Sequence, residues 1–160
     1  MARKKGLKVI KGVGLSISKS PPLSLTIPPN RRKDRLMFLT LSQVALGGAV
    51  GACLRYLTSV GAVRLFGPGF PIGTVVVNVV GSFAMGVLVV VLARKGGGHL
   101  APLLMTGILG GFTTFSAFSL DAWALWERGA QGLAFVYVAG SVVLSLCAVA
   151  LGLYVARSVT

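Results

Sequence analysis

Residues 107–118, GILGGFTTFSAF, place glycines, threonines, a serine and phenylalanines inside a long apolar segment. At membrane depth, polar groups and interrupted backbone are tolerated only where they are buried in protein or line a wet cavity. If the helix opens at its glycines and β-branched threonines, it releases carbonyl oxygens that a cation could use. Phe115 and Phe118 share a helix face, and the positive edges of their rings can meet an anion. The pattern indicates a binding or permeation site, although phenylalanines at this spacing are also ordinary core residues.

Polar residues recur every four positions in two other apolar segments, and residues four apart share a helix face. The two sets are Thr74, Asn78 and Ser82, and Tyr137, Ser141 and Ser145. A buried amide needs hydrogen-bond partners, and bonding between helices is a common use of asparagine in membranes. A continuous polar track also suits a passing ion, so spacing alone leaves both interpretations open.

Gly47, Gly51 and Arg55 follow the same four-residue step in the first apolar segment. The two glycines form the small-xxx-small pattern that lets helices approach closely. An arginine in hydrocarbon is costly unless it faces a partner or water. Arg55 is therefore either an anion-attracting group at a pore mouth or a helix-end arginine that reaches the interface, and spacing does not separate the two.

The composition is typical of an integral membrane protein. Of the 160 residues, 54% are hydrophobic and 12% are charged, about half the charged fraction of an average soluble domain. Four apolar runs are long enough to cross a bilayer as helices, and their short connections make neighbouring helices antiparallel. The runs cover residues 37–60, 72–93, 100–120 and 132–156. The sequence therefore predicts an all-α membrane protein with four transmembrane helices, the third broken near its middle.

The ionisable residues argue against an enzyme or a metal centre built from side chains. The chain has one histidine, His99, and three acids, Asp34, Asp121 and Glu127. None of the acids falls within a predicted span, and Asp121 is placed at the predicted end of the third helix. Acid–base catalysis, a zinc site and a carboxylate proton relay therefore lack their usual side chains.

Residues 1–36 are expected to form a basic, disordered extension in front of a transmembrane domain at residues 37–160. They hold ten of the sixteen Lys and Arg residues and one acid, a net charge of +9, with four of the seven prolines. The extension is interpreted as a targeting or membrane-surface arm, as a nucleic-acid-binding segment, or as a segment that is not native because Met37 could begin a shorter protein. Its lack of aromatic residues argues against nucleic-acid binding.

Charge also bears on membrane orientation. With the extension inside, its charges join those of Arg94, Lys95 and Arg157, against Arg64 and Arg128 outside. By the positive-inside rule this gives a firm orientation. Without the extension the basic residues number three inside against two outside, a balance that would let the chain insert both ways and let two copies pair antiparallel.

Three motifs, GGAVGACLRY at 47–56, GTVVVNVVGSF at 73–83 and GILGGFTTFSAFSLD at 107–121, occur in this order and closely resemble the CrcB/Fluc fluoride channel family. The resemblance covers about residues 37–160 and none of 1–36. It implies a dual-topology, antiparallel homodimer in the cell inner membrane that passively exports fluoride, is not an enzyme and binds no nucleic acid. A dual-topology multidrug-type transporter would need an embedded carboxylate, and a structural membrane subunit would leave three aligned polar faces without a role.

The resemblance also implies roles for individual residues. Phe115 and Phe118 would turn their ring edges toward fluoride. The other implied pore residues are polar side chains of the second and fourth helices: Thr74, Asn78, Tyr137, Ser141 and Ser145. Arg55 would lie near an aqueous vestibule. Gly110 and Thr113 would offer backbone carbonyls to a structural Na⁺ at the dimer centre, so that two copies supply four oxygens.

Overall fold

The computed structural model describes residues 31–159, which form helices joined by short connections and contain no strand. Four helical spans in this part of the chain are long and apolar enough to cross a membrane, as the sequence predicts. Two of them come first, α1 (Arg31–Phe66) and α2 (Ile72–Arg94), and both are continuous. The protein is therefore a multi-pass helical membrane protein.

The third span, Gly98–Glu127, changes its winding along its length. Its pieces are a 3₁₀ turn (Gly98–Leu100), a π-helix (Pro102–Leu109), the single α-turn α3 (Gly110–Phe112) and helix α4 (Phe115–Glu127). Thr113 and Thr114 between α3 and α4 are extended, with ψ angles of 157° and 125°. The predicted break is confirmed, and it lies at two β-branched residues that follow two glycines. The fourth span is the continuous helix α5 (Gln131–Val159).

Helix α1 begins at Arg31, so residues 31–36, assigned from the sequence to the extension, continue the first helix. Residues 1–30 of the predicted extension lie outside the described residues. At about 1.5 Å per residue, α1 is about 54 Å long, whereas the hydrocarbon core of a bilayer is about 30 Å thick. The helix therefore projects beyond the hydrocarbon, and its basic first turn is expected among the lipid headgroups.

Glycines set the distance between α1 and the third span. A Cβ at Gly47 would lie 2.9 Å from the Cα of Gly107, and a Cβ at Gly111 would lie 2.6 Å from the carbonyl oxygen of Gly48. Both distances are far inside van der Waals contact, so the two backbones touch. The close approach predicted for Gly47 and Gly51 is confirmed, and its partner is the third span.

Helix α2 packs mainly against α5, where Gly86 and Gly152 allow a similar backbone contact. A small buried cluster, consisting of Leu125, Ala134 and Tyr137, joins α4 to the beginning of α5. Many large apolar side chains elsewhere on the spans are exposed on the lone chain. In a bilayer such surfaces face lipid or another protein copy rather than water.

Candidate functional site

Asn78 of α2 holds the break in the third span through two hydrogen bonds to one residue. Its Nδ2 donates to the carbonyl oxygen of Thr114 at 3.0 Å, and its Oδ1 accepts from the Thr114 amide at 2.8 Å. These bonds satisfy both backbone polar groups of Thr114, which the extended conformation takes out of the helix. The second N–H of the Asn78 amide has no partner among residues 31–159. The predicted pore-lining amide thus supports the break and has one donor left unused within the described chain.

Thr114 caps α4 with its own side chain. Its Oγ1 accepts from the Ala117 amide at 3.2 Å and lies 3.3 Å from the Oγ of Ser116. In an uninterrupted helix, the amides of Thr114 and Ala117 would donate to the carbonyls four residues earlier, those of Gly110 and Thr113. Both amides donate to side-chain oxygens instead. The two carbonyls that the resemblance names as cation ligands are therefore among those that lose their helical donors at this break.

A cavity of about 440 Å³ opens beside the break. Five of the predicted pore residues line it: Asn78, Phe115, Phe118, Ser141 and Ser145. The two phenylalanine rings lie 5.6 Å apart between centroids, with their planes inclined by 41°. They therefore do not stack face to face, and a ring edge of such a pair can be turned toward the cavity.

Ser141 contributes an unpaired hydroxyl to this cavity. The residue is 5% exposed, and its Oγ finds no hydrogen-bond partner within the described part of the chain. Leaving a buried polar group unsatisfied costs about 1–3 kcal/mol, and serines in helices commonly bond to the carbonyl four residues earlier. The Ser141 hydroxyl makes no such bond in the described chain and lies in the wall of a cavity, so it is available to a ligand.

The other two predicted pore residues, Thr74 and Tyr137, meet at the carboxylate of Asp121. The Thr74 hydroxyl donates to Asp121 Oδ2 at 2.6 Å, and the Tyr137 hydroxyl donates to the same oxygen at 3.3 Å. Thr74 and Asp121 line a second cavity, of about 320 Å³. Tyr137 is buried, and its ring lies 5.3 Å from that of Phe118. Tyr137 lines neither cavity but contacts a lining residue of each, Phe118 of the first and Asp121 of the second.

The third helix ends later than the sequence predicted, and Asp121 lies inside it rather than at its end. The apolar run ends at residue 120, but α4 continues to Glu127, so Asp121 lies inside the helix. The expectation that no carboxylate lies within the first three spans is therefore wrong. Two hydroxyl donors compensate for the partial burial of the carboxylate. The signal in the sequence was its spacing of three from Phe118, which puts both residues on one face of α4.

Arg55 lines neither of these two cavities. It lies on α1, is partly exposed, and precedes Tyr56, which lines a separate surface depression. Measured along the helix, Arg55 is about 29 Å from Leu36, close to the thickness of a hydrocarbon core. The residue is therefore expected at the membrane interface opposite the basic first turn, and its position near an aqueous vestibule stays a prediction.

A cation in the described part of the chain would need backbone oxygens. Residues 31–159 contain no group of three or more His, Cys, Asp or Glu side chains that could hold a metal ion. Gly110 is exposed, and a Cβ there would meet only the Met105 carbonyl oxygen, at an ordinary 3.7 Å. Packing within the described chain therefore does not require this glycine. The freed carbonyls and the open space at Gly110 fit the predicted Na⁺ ligands.

Neutral donors that converge on a cavity between membrane-length helices define a candidate channel or transporter for a small ion. Comparison with known protein families identifies the class of protein more narrowly than the site alone. The model of the CrcB-like proteins, also described as Camphor Resistance (CrcB), matches residues 42–153. The chain belongs to this family, and the resemblance drawn from its three motifs is confirmed.

Several relatives named "Fluoride-specific ion channel FluC" are similar to this chain over nearly their whole length. The protein from Cereibacter sphaeroides is 66% identical over 121 residues, which cover 76% of this chain and 97% of the relative. The protein from Paracoccus denitrificans is 60% identical over 118 residues, 74% of this chain and 94% of the relative. The protein from Ruegeria sp. is 56% identical over 124 residues, 77% and 98% of the two chains.

Proposed function

We propose that this chain is a fluoride channel through which fluoride leaves the cell passively, so that cytoplasmic fluoride falls. The observation that carries the proposal is the buried Ser141 hydroxyl, which lacks a partner among the described residues and lines the cavity shared by Phe115 and Phe118. Relatives with 56% to 66% identity that are named fluoride-specific ion channels support it.

The chemistry of the first cavity suits this ion. Fluoride is small and strongly hydrated, so a pore has to replace its water with several weak donors. The available donors are the hydroxyls of Ser141 and Ser145, the second N–H of Asn78, and the ring edges of Phe115 and Phe118. None carries a formal charge. The ion therefore meets no single deep well and can leave as well as enter.

The second cavity places a carboxylate beside two further donors. The hydroxyls of Thr74 and Tyr137 are engaged with Asp121. To serve fluoride, as the resemblance implies, each hydroxyl has to turn away from the carboxylate. The same two bonds disperse the negative charge of Asp121, which would otherwise repel an anion. We propose that the donors alternate between the acid and the passing ion, with Arg55 attracting anions at the nearby interface.

The proposed assembly is an antiparallel homodimer in the cell inner membrane. The freed carbonyls of Gly110 and Thr113 from two copies would hold a structural Na⁺ with four hard oxygen ligands. Bound between them, the ion would supply the positive charge that keeps the two broken turns together. Phe115 is 80% exposed on the lone chain, and the second copy would cover it.

The alternative function considered for this sequence is a multidrug-type exporter. Such an exporter requires an embedded carboxylate, and Asp121 provides one within α4. Membership of the CrcB-like family, rather than a missing acid, now argues against this alternative. A purely structural subunit would give the unpaired Ser141 hydroxyl no role.

Fluoride efflux from proteoliposomes that contain the full chain, followed with a fluoride electrode, tests the proposal. We expect efflux from the wild type and a severe reduction with Phe115→Ile or Asn78→Asp. Phe135→Ile is the matched control, because Phe135 is exposed on α5 and lines neither cavity. Wild-type liposomes without fluoride efflux would overturn the channel. Unchanged efflux in both pore variants would overturn the site.

A further inference from the structure

We propose that Asn78 and Thr114 are positioning residues for the central cation. Each side chain accepts a backbone N–H that would otherwise close the helix onto a cation ligand, the carbonyl of Gly110 or of Thr113. The inference rests on the proposed Na⁺ at the dimer centre and adds the residues that make its ligands available. Neither Asn78 nor Thr114 needs to touch the ion through its side chain.

The diversion of hydrogen bonds begins at one defined amide. The Thr113 amide keeps its helical bond to the Leu109 carbonyl, at 2.9 Å. The next amide, that of Thr114, turns to Asn78 Oδ1 at 2.8 Å. Three residues later, the Ala117 amide donates to Thr114 Oγ1 at 3.2 Å. The last helical amide before the break is thus that of Thr113, and the two side chains bind the amides that would otherwise bond to the carbonyls of Gly110 and Thr113.

Helix α2 supports this arrangement over one turn. Asn78 bonds to both backbone groups of Thr114, and Gly81, three residues further on, gives the side chain of Thr113 room to pack against the α2 backbone. A Cβ at Gly81 would overlap the Thr113 methyl group. The conformation of the break is therefore set by α2 as well as by the local sequence of the third span.

Each of these two amides, those of Thr114 and Ala117, has two possible acceptors, a side-chain oxygen or the helical carbonyl four residues earlier. An amide that loses its side-chain acceptor inside the protein leaves a costly unsatisfied donor, and the nearest acceptor in the chain is the helical carbonyl four residues earlier. A carbonyl that accepts a helical bond points along the helix axis and is unavailable to an ion from outside the helix. Removing the oxygen of Asn78 or of Thr114 should therefore withdraw one cation ligand per chain.

Asn78 then has two separable roles. Asn78 lines the first cavity, where its second amide N–H is the proposed donor to fluoride, and its oxygen accepts the Thr114 amide and so frees a proposed cation ligand. Asn78→Asp keeps an oxygen for the Thr114 amide, whereas Asn78→Leu keeps the size and removes it. Thr114→Ser keeps the capping oxygen, whereas Thr114→Val removes it. Thr58→Val is a control, because the Thr58 hydroxyl bonds within α1 to the Leu54 carbonyl.

The experiment measures the thermal unfolding of each purified full-length variant in sodium chloride and in N-methylglucamine chloride of equal ionic strength. The readout is the sodium-dependent increase in Tm. A purely structural loss of a helix cap lowers Tm equally in both salts. A lost positioning residue weakens the apparent sodium affinity, by about 10- to 100-fold as for other groups that orient metal ligands.

We expect Asn78→Leu and Thr114→Val to lose most of the sodium-dependent increase, while Asn78→Asp, Thr114→Ser and Thr58→Val retain it. Asn78→Asp should at the same time be inactive in fluoride efflux, which separates the two roles. A full sodium-dependent increase in Tm in both Asn78→Leu and Thr114→Val would overturn the inference, although the proposed Na⁺ site itself would stand. A wild type without any sodium response would overturn the inference together with the cation, while fluoride efflux from the same preparation would leave the channel standing.

Discussion

The Thr74 hydroxyl donates to the Asp121 carboxylate across 2.6 Å, between residues 47 positions apart in the chain. This bond joins α2 to α4, and the 3.3 Å bond from Tyr137 to the same oxygen adds α5. Hydrogen bonds to an ionised acceptor are roughly twice as strong as neutral ones. One carboxylate therefore connects three helices at the wall of the second cavity.

Removing either hydroxyl should lower the free energy of unfolding by less than removing the carboxylate of Asp121. Tyr137→Phe or Thr74→Val deletes one bond and is expected to lower the free energy of unfolding by about 1.5–3 kcal/mol, the value for bonds to charged groups. Asp121→Leu leaves two part-buried hydroxyls without an acceptor and should cost more. Chemical unfolding in detergent measures these values. In the double variant Thr74→Val/Asp121→Leu the cost should be less than additive, because one orphaned hydroxyl is gone. Strict additivity would contradict the direct coupling.

Ser141→Ala should separate function from stability. Because the wild-type hydroxyl is buried without a partner among the described residues, its removal relieves a desolvation cost of about 1–3 kcal/mol, so the free energy of unfolding should stay equal or rise. Fluoride efflux should fall, because a donor to the ion is lost. Ser119→Ala is the control: Ser119 bonds to the Phe115 carbonyl and is exposed. A clear loss of stability with Ser141→Ala would indicate a structural partner for this hydroxyl instead.

The features that follow from local sequence were predictable. Hydropathy runs locate the four spans, and paired glycines next to Thr113 and Thr114 locate the break. The hydrogen-bond partners were not predictable, because they depend on residues far apart in the chain: Asn78 and Thr114 are separated by 36 positions. Spacing within one helix gives the face of Asn78 but not its two bonds to the break. Asp121 was misplaced for the same reason, since its donors come from two other helices.

The backbone contact between α1 and the third span gives a prediction with an internal control. A Cβ at Gly51 would lie 2.8 Å from the Phe112 backbone nitrogen, and closer still to the Ile108 carbonyl. Gly51→Ala should therefore destabilise the protein by about 1–3 kcal/mol through overpacking. A Cβ at Gly61, also in α1, would meet no atom within 4 Å, so Gly61→Ala should stabilise the helix by about 0.5–1 kcal/mol. Thermal unfolding of the two variants in detergent would show opposite shifts in Tm, and equal shifts would contradict this packing.

The basic residues of this chain predict how its copies insert. The described helices bring the first turn of α1, the end of α2 and the end of α5 to one end of the molecule. The basic residues there are Arg31, Arg32, Lys33, Arg35, Arg94, Lys95 and Arg157. At the other end the described basic residues are Arg55, Arg64 and Arg128. Residues 1–30, which precede the basic first turn of α1 in the chain, carry six further Lys and Arg. By the positive-inside rule the full chain should insert with its N-terminus inside, whereas a chain that begins at Met37 should insert both ways.

Labelling of a single cysteine measures this orientation. Cys53→Ser and Cys147→Ser remove the native thiols, and Ser158→Cys adds one at the exposed basic end of α5. An impermeant maleimide added to intact spheroplasts should leave the full chain unlabelled and should label about half of the shortened chain if insertion is unbiased. Equal labelling of the two forms would show that the extension does not orient the protein. Because an antiparallel homodimer needs both orientations, fluoride efflux from cells should be lower for a uniformly oriented full chain than for the shortened chain, whereas reconstitution from detergent lets copies of the full chain pair in both orientations.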